Sequence, residues 1–267
     1  MLIDTHNHTV PFSPDANMTI LELIEMANAM HLGVVASTPH YEYDNPDPND
    51  NIQTFDLKEY SSAFEGWKQL CPPELTLLKG IEFGYQKHTA SVIDRIAQEA
   101  DLDIVLLSNH LFRGRDVYYS QELPFLPKTL RHREYITTLA EMVENVNNFD
   151  VATHFDYINK FCSDSSADLL YEDCPEAFDR FFEALIYKGK ALELNTSSSM
   201  RRHAMPDTAI LQRYLDMGGE LFALASDAHV KENVGAGISQ FAALLQSLGV
   251  REVCYFQKRQ IKMVTLP

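Results

Sequence analysis

Basic residues are scarce in this chain: lysine and arginine number 22 against 38 aspartates and glutamates, a formal net charge of −16. Nucleic-acid backbones are bound by basic stripes, and none is present, so a nucleic-acid partner is not expected. Long apolar runs are missing too. Nothing approaches the roughly 20 residues of a membrane span, so no membrane partner is expected. The start, Met1-Leu2-Ile3-Asp4, is polar by its fourth residue, unlike a secretion leader. Cysteine is sparse: Cys71, Cys162, Cys174 and Cys254 are scattered, with no C-x-x-C pair. They read as reduced thiols of a cytoplasmic protein. No Pro/Ser-rich linker, repeat or low-complexity tract divides the 267 residues, so one α/β domain over 1–267 is expected.

What is present is an alternation of short apolar runs and amphipathic segments. The runs predict strands at Leu2–Thr5, Val34–Thr38, Thr76–Glu82, Ile104–Ser108, Val151–His154, Ala191–Asn195, Leu221–Ser226 and Val253–Phe256. Between them, Thr19-Ile20-Leu21-Glu22 reads as a capping box before a helix carrying Leu23, Ile24, Ala27 and Met30. Further helical faces are Val92/Ile93/Ile96/Ala97, Leu139/Met142/Val143/Val146, Phe178/Phe181/Phe182/Leu185, Ile210/Leu211/Tyr214/Leu215 and Phe241/Leu244/Leu245/Leu248. Strand-helix alternation means a mainly parallel sheet, and about seven such units fit a closed or nearly closed barrel. Tyr41–Asn51, with its Asn-Pro-Asp-Pro, reads as a long surface loop.

The histidines fall in a pattern. Of ten, six sit at or just past the end of a predicted strand: His6, His8, His40, His110, His154 and His229. Parallel strands all point to one mouth, where barrel enzymes gather their functional groups. Glu82 and Asp227 close two of the same strands, and Asp15 lies in the loop after the first. Each has an ordinary alternative. His6-x-His8 can belong to a surface, Glu82 can be a satisfied core carboxylate, and Ser13-Pro14-Asp15 is a common turn. The coincidence of all nine carries the argument. Nitrogen and oxygen donors of this kind suit Zn, Mn or Fe, and nine exceed the needs of one ion. Two or three divalent ions sharing a carboxylate are expected, a centre that activates water and clamps the oxygens of an in-line displacement. His31, His88, His132 and His203 read as structural or exposed.

Anion-binding candidates follow the same strands: Arg113 and Arg115 after His110, Lys160 after His154, and Arg201-Arg202 after the polar run Asn195–Ser199. Guanidinium forks match phosphate oxygens, and Arg201, Arg202 and Lys160 are the preferred phosphate-binding residues. Tyr118, Tyr119 and Phe125 lie in an insertion over 114–130, where a lid could form. An acidic surface repels an anionic substrate such as a small phosphomonoester unless bound cations reverse the field locally, which again favours metals at the site.

The motifs Asp4-Thr5-His6-Asn7-His8, Thr38-Pro39-His40, Gly80-Ile81-Glu82, Ser108-Asn109-His110, His154-Phe155-Asp156 and Ser226-Asp227-Ala228-His229 occur in this order over nearly the whole chain. In this the chain resembles the PHP (polymerase and histidinol phosphatase) superfamily. Glu193-Leu194-Asn195-Thr196 and the ending Val253–Arg259 resemble its monofunctional histidinol-phosphatase branch. The resemblance implies a distorted seven-stranded (β/α) barrel with a trinuclear centre. His6, His8, Glu82 and Asp227 would hold one ion. Glu82 would bridge to a second on His110 and His154, and Asp15, His40 and His229 would hold a third. It further implies hydrolysis of L-histidinol phosphate, a step of histidine biosynthesis, with Glu82, Asp227 and His229 as catalytic residues. Another small phosphomonoester or phosphotyrosine is the alternative substrate. An amidohydrolase-type barrel is disfavoured, because Ser108-Asn109-His110 stands where that class carries a bridging lysine. A polymerase-accessory module is disfavoured by the acidic surface. Gly84 departs from the pattern, standing where many relatives carry an acidic residue.

Overall fold

The fold was obtained as a computed structural model that describes residues 1–120, 123–160, 168–202 and 205–267. Seven parallel strands form one sheet: β1 (Leu2–Asp4), β2 (Leu32–Ser37), β4 (Thr76–Gly84), β5 (Ile104–Ser108), β8 (Val151–Ala152), β9 (Ala191–Asn195) and β10 (Phe222–Ala225), neighbours in that order. Their edges meet. Thr5 N–H donates to Leu224 O at 3.0 Å, Asp227 N–H to His6 O at 2.9 Å and His8 N–H to Ala228 O at 2.9 Å. The result is the nearly closed α/β barrel expected from the alternation, as a single domain. Asp4 reinforces the seam, taking the backbone N–H and the hydroxyl of Ser226 on its two carboxylate oxygens.

Helices α1 (Ile20–Ala29), α3 (Ala90–Glu99), α4 (Lys128–Asn145), α5 (Pro175–Lys188), α7 (Thr208–Asp216) and α8 (Ile238–Ser247) pack outside the sheet. Each turns the apolar face read from its spacing toward the sheet, except that Met30 at the end of α1 is exposed; in α5 the buried face is Phe178, Phe181, Phe182 and Leu185. Thr19 and Glu22 form the capping box reciprocally at the start of α1. α5 ends at Gly189, whose left-handed φ of 62° closes the helix.

Several elements differ from the sequence reading. The eighth candidate strand is not in the barrel. Val253–Phe256 belongs to β11 (Glu252–Gln257), which pairs antiparallel with β12 (Gln260–Thr265) as a separate hairpin. The hairpin is tied to the barrel by Arg259, whose Nε donates to Asp150 at 2.5 Å. Helix α2 (Leu57–Lys68) was not anticipated, although Leu57, Tyr60, Phe64 and Trp67 recur at helical spacing behind the Asp56 cap. Helix α6 (Thr196–Arg202) occupies what reads as a polar loop. Its serines lack helix propensity, but Asn195 Oδ1 accepts from both the N–H and the hydroxyl of Ser197. A two-residue strand, β3 (His40–Tyr41), adds to the edge of β4 within the Tyr41–Asn51 region. The hairpin β6 (Leu111–Phe112) and β7 (Arg115–Asp116) opens the insertion after β5. Among the described residues, no helix is long and apolar enough to cross a membrane. Cys71, Cys174 and Cys254 are free thiols, and Cys162 lies outside the described residues.

Candidate metal centre

Glu82 stands near the end of β4, fully buried. Its Oε1 lies 3.0 Å from His110 Nε2 and 2.9 Å from His154 Nε2. Its Oε2 lies 2.7 Å from His40 Nδ1, 3.2 Å from His6 Nε2 and 3.4 Å from His8 Nε2. Five imidazoles from four segments therefore converge on one carboxylate. Strand register explains part of this: His40 is the direct partner of Glu82 across β3 and β4, so both side chains leave the same face. Extended chain past β1 carries His6 and His8 two residues apart, on one side.

The other expected residues complete the cluster. Asp227 Oδ1 is 3.2 Å from His8 Nε2 and 3.7 Å from His6 Nε2. Asp15 Oδ2 is 2.9 Å from His229 Nε2 and 3.4 Å from His40 Nε2. His8 stacks between His40 and His229, with ring centroids 4.1 and 4.2 Å away. Asp227 adopts a left-handed φ of 54°, a conformation uncommon outside glycine that aims its carboxylate into the cluster. All nine residues are thus brought to one mouth of the barrel.

This donor set fits divalent cations. Glu82 Oε2 and His40 Nδ1, 2.7 Å apart, are both buried without a hydrogen-bond partner of acceptable geometry. Unsatisfied buried atoms cost about 1–3 kcal/mol each, and convergent lone pairs are what a cation needs. Suitable triads include His6/His8/Asp227, Glu82/His110/His154 and His8/His40/His229. Burial raises the Glu82 carboxyl, but His6, His40 and His110 outweigh it and hold the group well below the usual carboxylate range. Asp227 behaves alike: burial opposes ionisation, and Lys160 and His6 prevail. At His8, burial and then the neighbouring His40 and His229 push the ring well below the usual histidine value, so it is neutral and able to ligate.

A cavity of about 690 Å³ opens over the cluster, and Lys160 and Arg201 line it. Lys160 Nζ donates to Asp227 Oδ2 at 2.6 Å. Arg113 and Arg115 do not line it. Arg113 forks Glu134 at 2.8 and 2.7 Å, and Arg115 reaches Asp47 at 3.4 Å. The Arg202 side chain and His203 lie outside the described residues. Tyr118 and Tyr119 of the insertion border the cavity, whereas Phe125 is exposed. Of the histidines set aside, His31 is exposed, His88 pairs with Asp44 at the surface, and His132 is buried between Asp173 and Asn159.

Comparison with known proteins sharpens this description. The PHP domain family matches residues 4–197. The chain belongs to that family. Over 98% of its length it is 24% identical to a "probable histidinol-phosphatase" of Clostridium acetobutylicum, covering 99% of that protein. It is 24% identical to a histidinol-phosphatase of Lactococcus lactis, over 97% of this chain and 96% of that one. The crystal structure of a Lactococcus lactis histidinol phosphate phosphatase, complexed with zinc, L-histidinol and phosphate, superposes with a TM-score of 0.86. There the identity is 22%, and 98% of each chain is covered.

Two carboxylates of this PHP domain escaped the sequence reading as site residues. Glu193 Oε2 holds His6 Nδ1 at 3.0 Å, and Glu42 Oε1 holds His110 Nδ1 at 2.8 Å. Both had a signal. Glu193 is an acid inside the apolar strand Ala191-Leu192-Glu193-Leu194, and Glu42 follows His40 by two residues, on the same side of an extended segment. Such outer carboxylates orient ligand histidines and fix their tautomer.

Proposed function

We propose that this chain hydrolyses L-histidinol phosphate to L-histidinol and phosphate at a centre of two or three divalent ions drawn from Zn, Mn and Fe. The observation that carries the reading is Glu82, whose two oxygens face five imidazoles inside a cavity also lined by Lys160 and Arg201. The crystallised Lactococcus lactis relative, bound to zinc, L-histidinol and phosphate, supports it. The catalytic unit extends over 1–267, since Asp227 and His229 follow β10, beyond the family match at 197. Free thiols at Cys71, Cys174 and Cys254 suit a cytoplasmic location.

In this reading His6, His8, Glu82 and Asp227 would hold one ion, and Glu82, His110 and His154 would hold a second. Asp15, His40 and His229 would hold a third. Divalent cations held there would supply Lewis-acid polarisation of the phosphoryl oxygens and a lowered pKa for bound water. The chain's own groups do the rest. Lys160 and Arg201, which line the cavity, offer donors to the phosphate oxygens and offset the acidic surface. Asp227 and His229 both line the cavity, and in this reading one of them, or a bound water, passes a proton to the leaving alkoxide. Buried strands behind Glu82 keep the ligands in register.

Turnover of L-histidinol phosphate beside a panel of phosphomonoesters, including phosphotyrosine and p-nitrophenyl phosphate, tests the reading. L-histidinol phosphate should give the highest kcat/KM, and chelator should abolish turnover until zinc or manganese is returned. A panel member preferred tenfold, or turnover that survives chelation, would contradict it.

A further inference from the structure

β3 pairs with β4 as His40 to Glu82 and Tyr41 to Phe83, so the next residues in register are Glu42 and Gly84. Glu42 is 4% exposed, and its Oε1 accepts the Nδ1–H of His110 at 2.8 Å. Gly84 ends β4 with no backbone need for glycine, as its φ is not positive. Its need is spatial. A Cβ at residue 84 would lie 1.7 Å from Glu42 Oε2, 2.2 Å from Cδ and 2.3 Å from Oε1. No real Cβ tolerates such contacts. The carboxylate of Glu42 therefore occupies the place where residue 84 would otherwise carry a side chain.

That placement has a consequence at the other end of the His110 ring. With Nδ1–H committed to Glu42, the Nε2 lone pair faces the space shared by Glu82 Oε1, 3.0 Å away, and His154. We propose that Glu42 is a positioning residue that fixes His110 for metal binding, and that glycine at residue 84 keeps it in place, since any side chain there would push the Glu42 carboxylate away. The proposal rests on the metal-centre reading above. Glu42 acts through His110, and the pair Glu42/Gly84 is one device: a carboxylate on β3's extension and a hole on β4 to receive it.

Three single variants and one double variant test this, with zinc retained per chain at chelator-buffered free zinc as the readout. Glu42→Ala should weaken retention of one equivalent by about 10- to 100-fold and leave the rest bound. Glu42→Gln keeps an acceptor for Nδ1–H and should stay within a few-fold of wild type. Gly84→Ala should lose the same equivalent, because it displaces Glu42. In zinc-free protein, Gly84→Ala should lower the Tm in the wild-type background but hardly at all in Glu42→Ala, where the space is free. Unchanged zinc retention in Glu42→Ala, or an equal Tm loss from Gly84→Ala in both backgrounds, would overturn the proposal. Wild-type protein that retained no zinc would instead overturn the metal reading beneath it. A failure to turn over L-histidinol phosphate would leave the Glu42 proposal standing if the zinc results hold.

Discussion

Lys160 Nζ donates to Asp227 Oδ2 across 2.6 Å, joining the residue expected to bind phosphate to one expected to bind metal. Lys160 also lies 5.4 Å over the Tyr157 ring, and both line the cavity. A cation in that position can serve the substrate, the carboxylate, or both.

Replacement separates these roles. Lys160→Met should lower kcat/KM by about 100-fold, the scale of losing one donor to developing phosphoryl charge, with metal content unchanged. Lys160→Arg should recover part of the loss. Metal analysis beside steady-state kinetics checks this. Loss of ions in Lys160→Met would show instead that the ammonium mainly holds Asp227 in place.

Barrel closure depends on Asp4. Its buried carboxylate accepts the Ser226 N–H at 2.8 Å, the Ser226 hydroxyl at 2.5 Å and the Gly235 N–H at 3.0 Å. Asp4→Ala would strand these donors inside the protein, at a cost on the order of 3 kcal/mol. Because β1 leads to His6 and His8, and β10 to Asp227, metal retention should fall as well. Urea denaturation of the variant, in zinc-free and zinc-loaded protein, measures both effects.

Asp116 supplies a pH signature. Burial, with Asp50 and Glu42 adding to it, pushes its carboxyl up from 3.8 to about 6. The folded state thus holds this proton more tightly than the unfolded chain. The resulting stability is fully present below about pH 4 and is lost as pH rises through about 6. Asp116→Asn removes the penalty of ionisation, about 3 kcal/mol at neutral pH from a shift of this size. In chelated protein, the variant's Tm should therefore gain on wild type between pH 4 and 7. A difference that does not vary with pH would contradict the assignment.

Much of this architecture is written in local pattern. Each barrel strand is an apolar run, and several end in His, Asp or Glu, so strand direction alone carries those side chains to one mouth. The rest depends on contacts that local pattern does not encode. β3 exists through its register with β4, and the five-histidine cluster on Glu82 needs that register. Val253–Phe256 reads the same whether it joins a parallel sheet or a hairpin. The turn that decides it has Lys258 and Arg259 at φ of 51° and 61°, positions usually held by Asn or Gly. Glu42 follows β3, a strand too short to read from local pattern, and Glu193 sits within β9 rather than at its end. Arg113 and Arg115 looked equivalent to Lys160 by position, yet their partners are surface and loop carboxylates.

The central claim is that one carboxylate organises the cations of this barrel. Metal analysis of wild type and Glu82→Ala, with circular dichroism to confirm the fold, tests it most directly. Wild type should retain two or three ions per chain, and Glu82→Ala should lose at least one of them together with turnover while staying folded. Wild type with at most one ion, or a Glu82→Ala variant that keeps its ions and near-normal activity, would contradict the account.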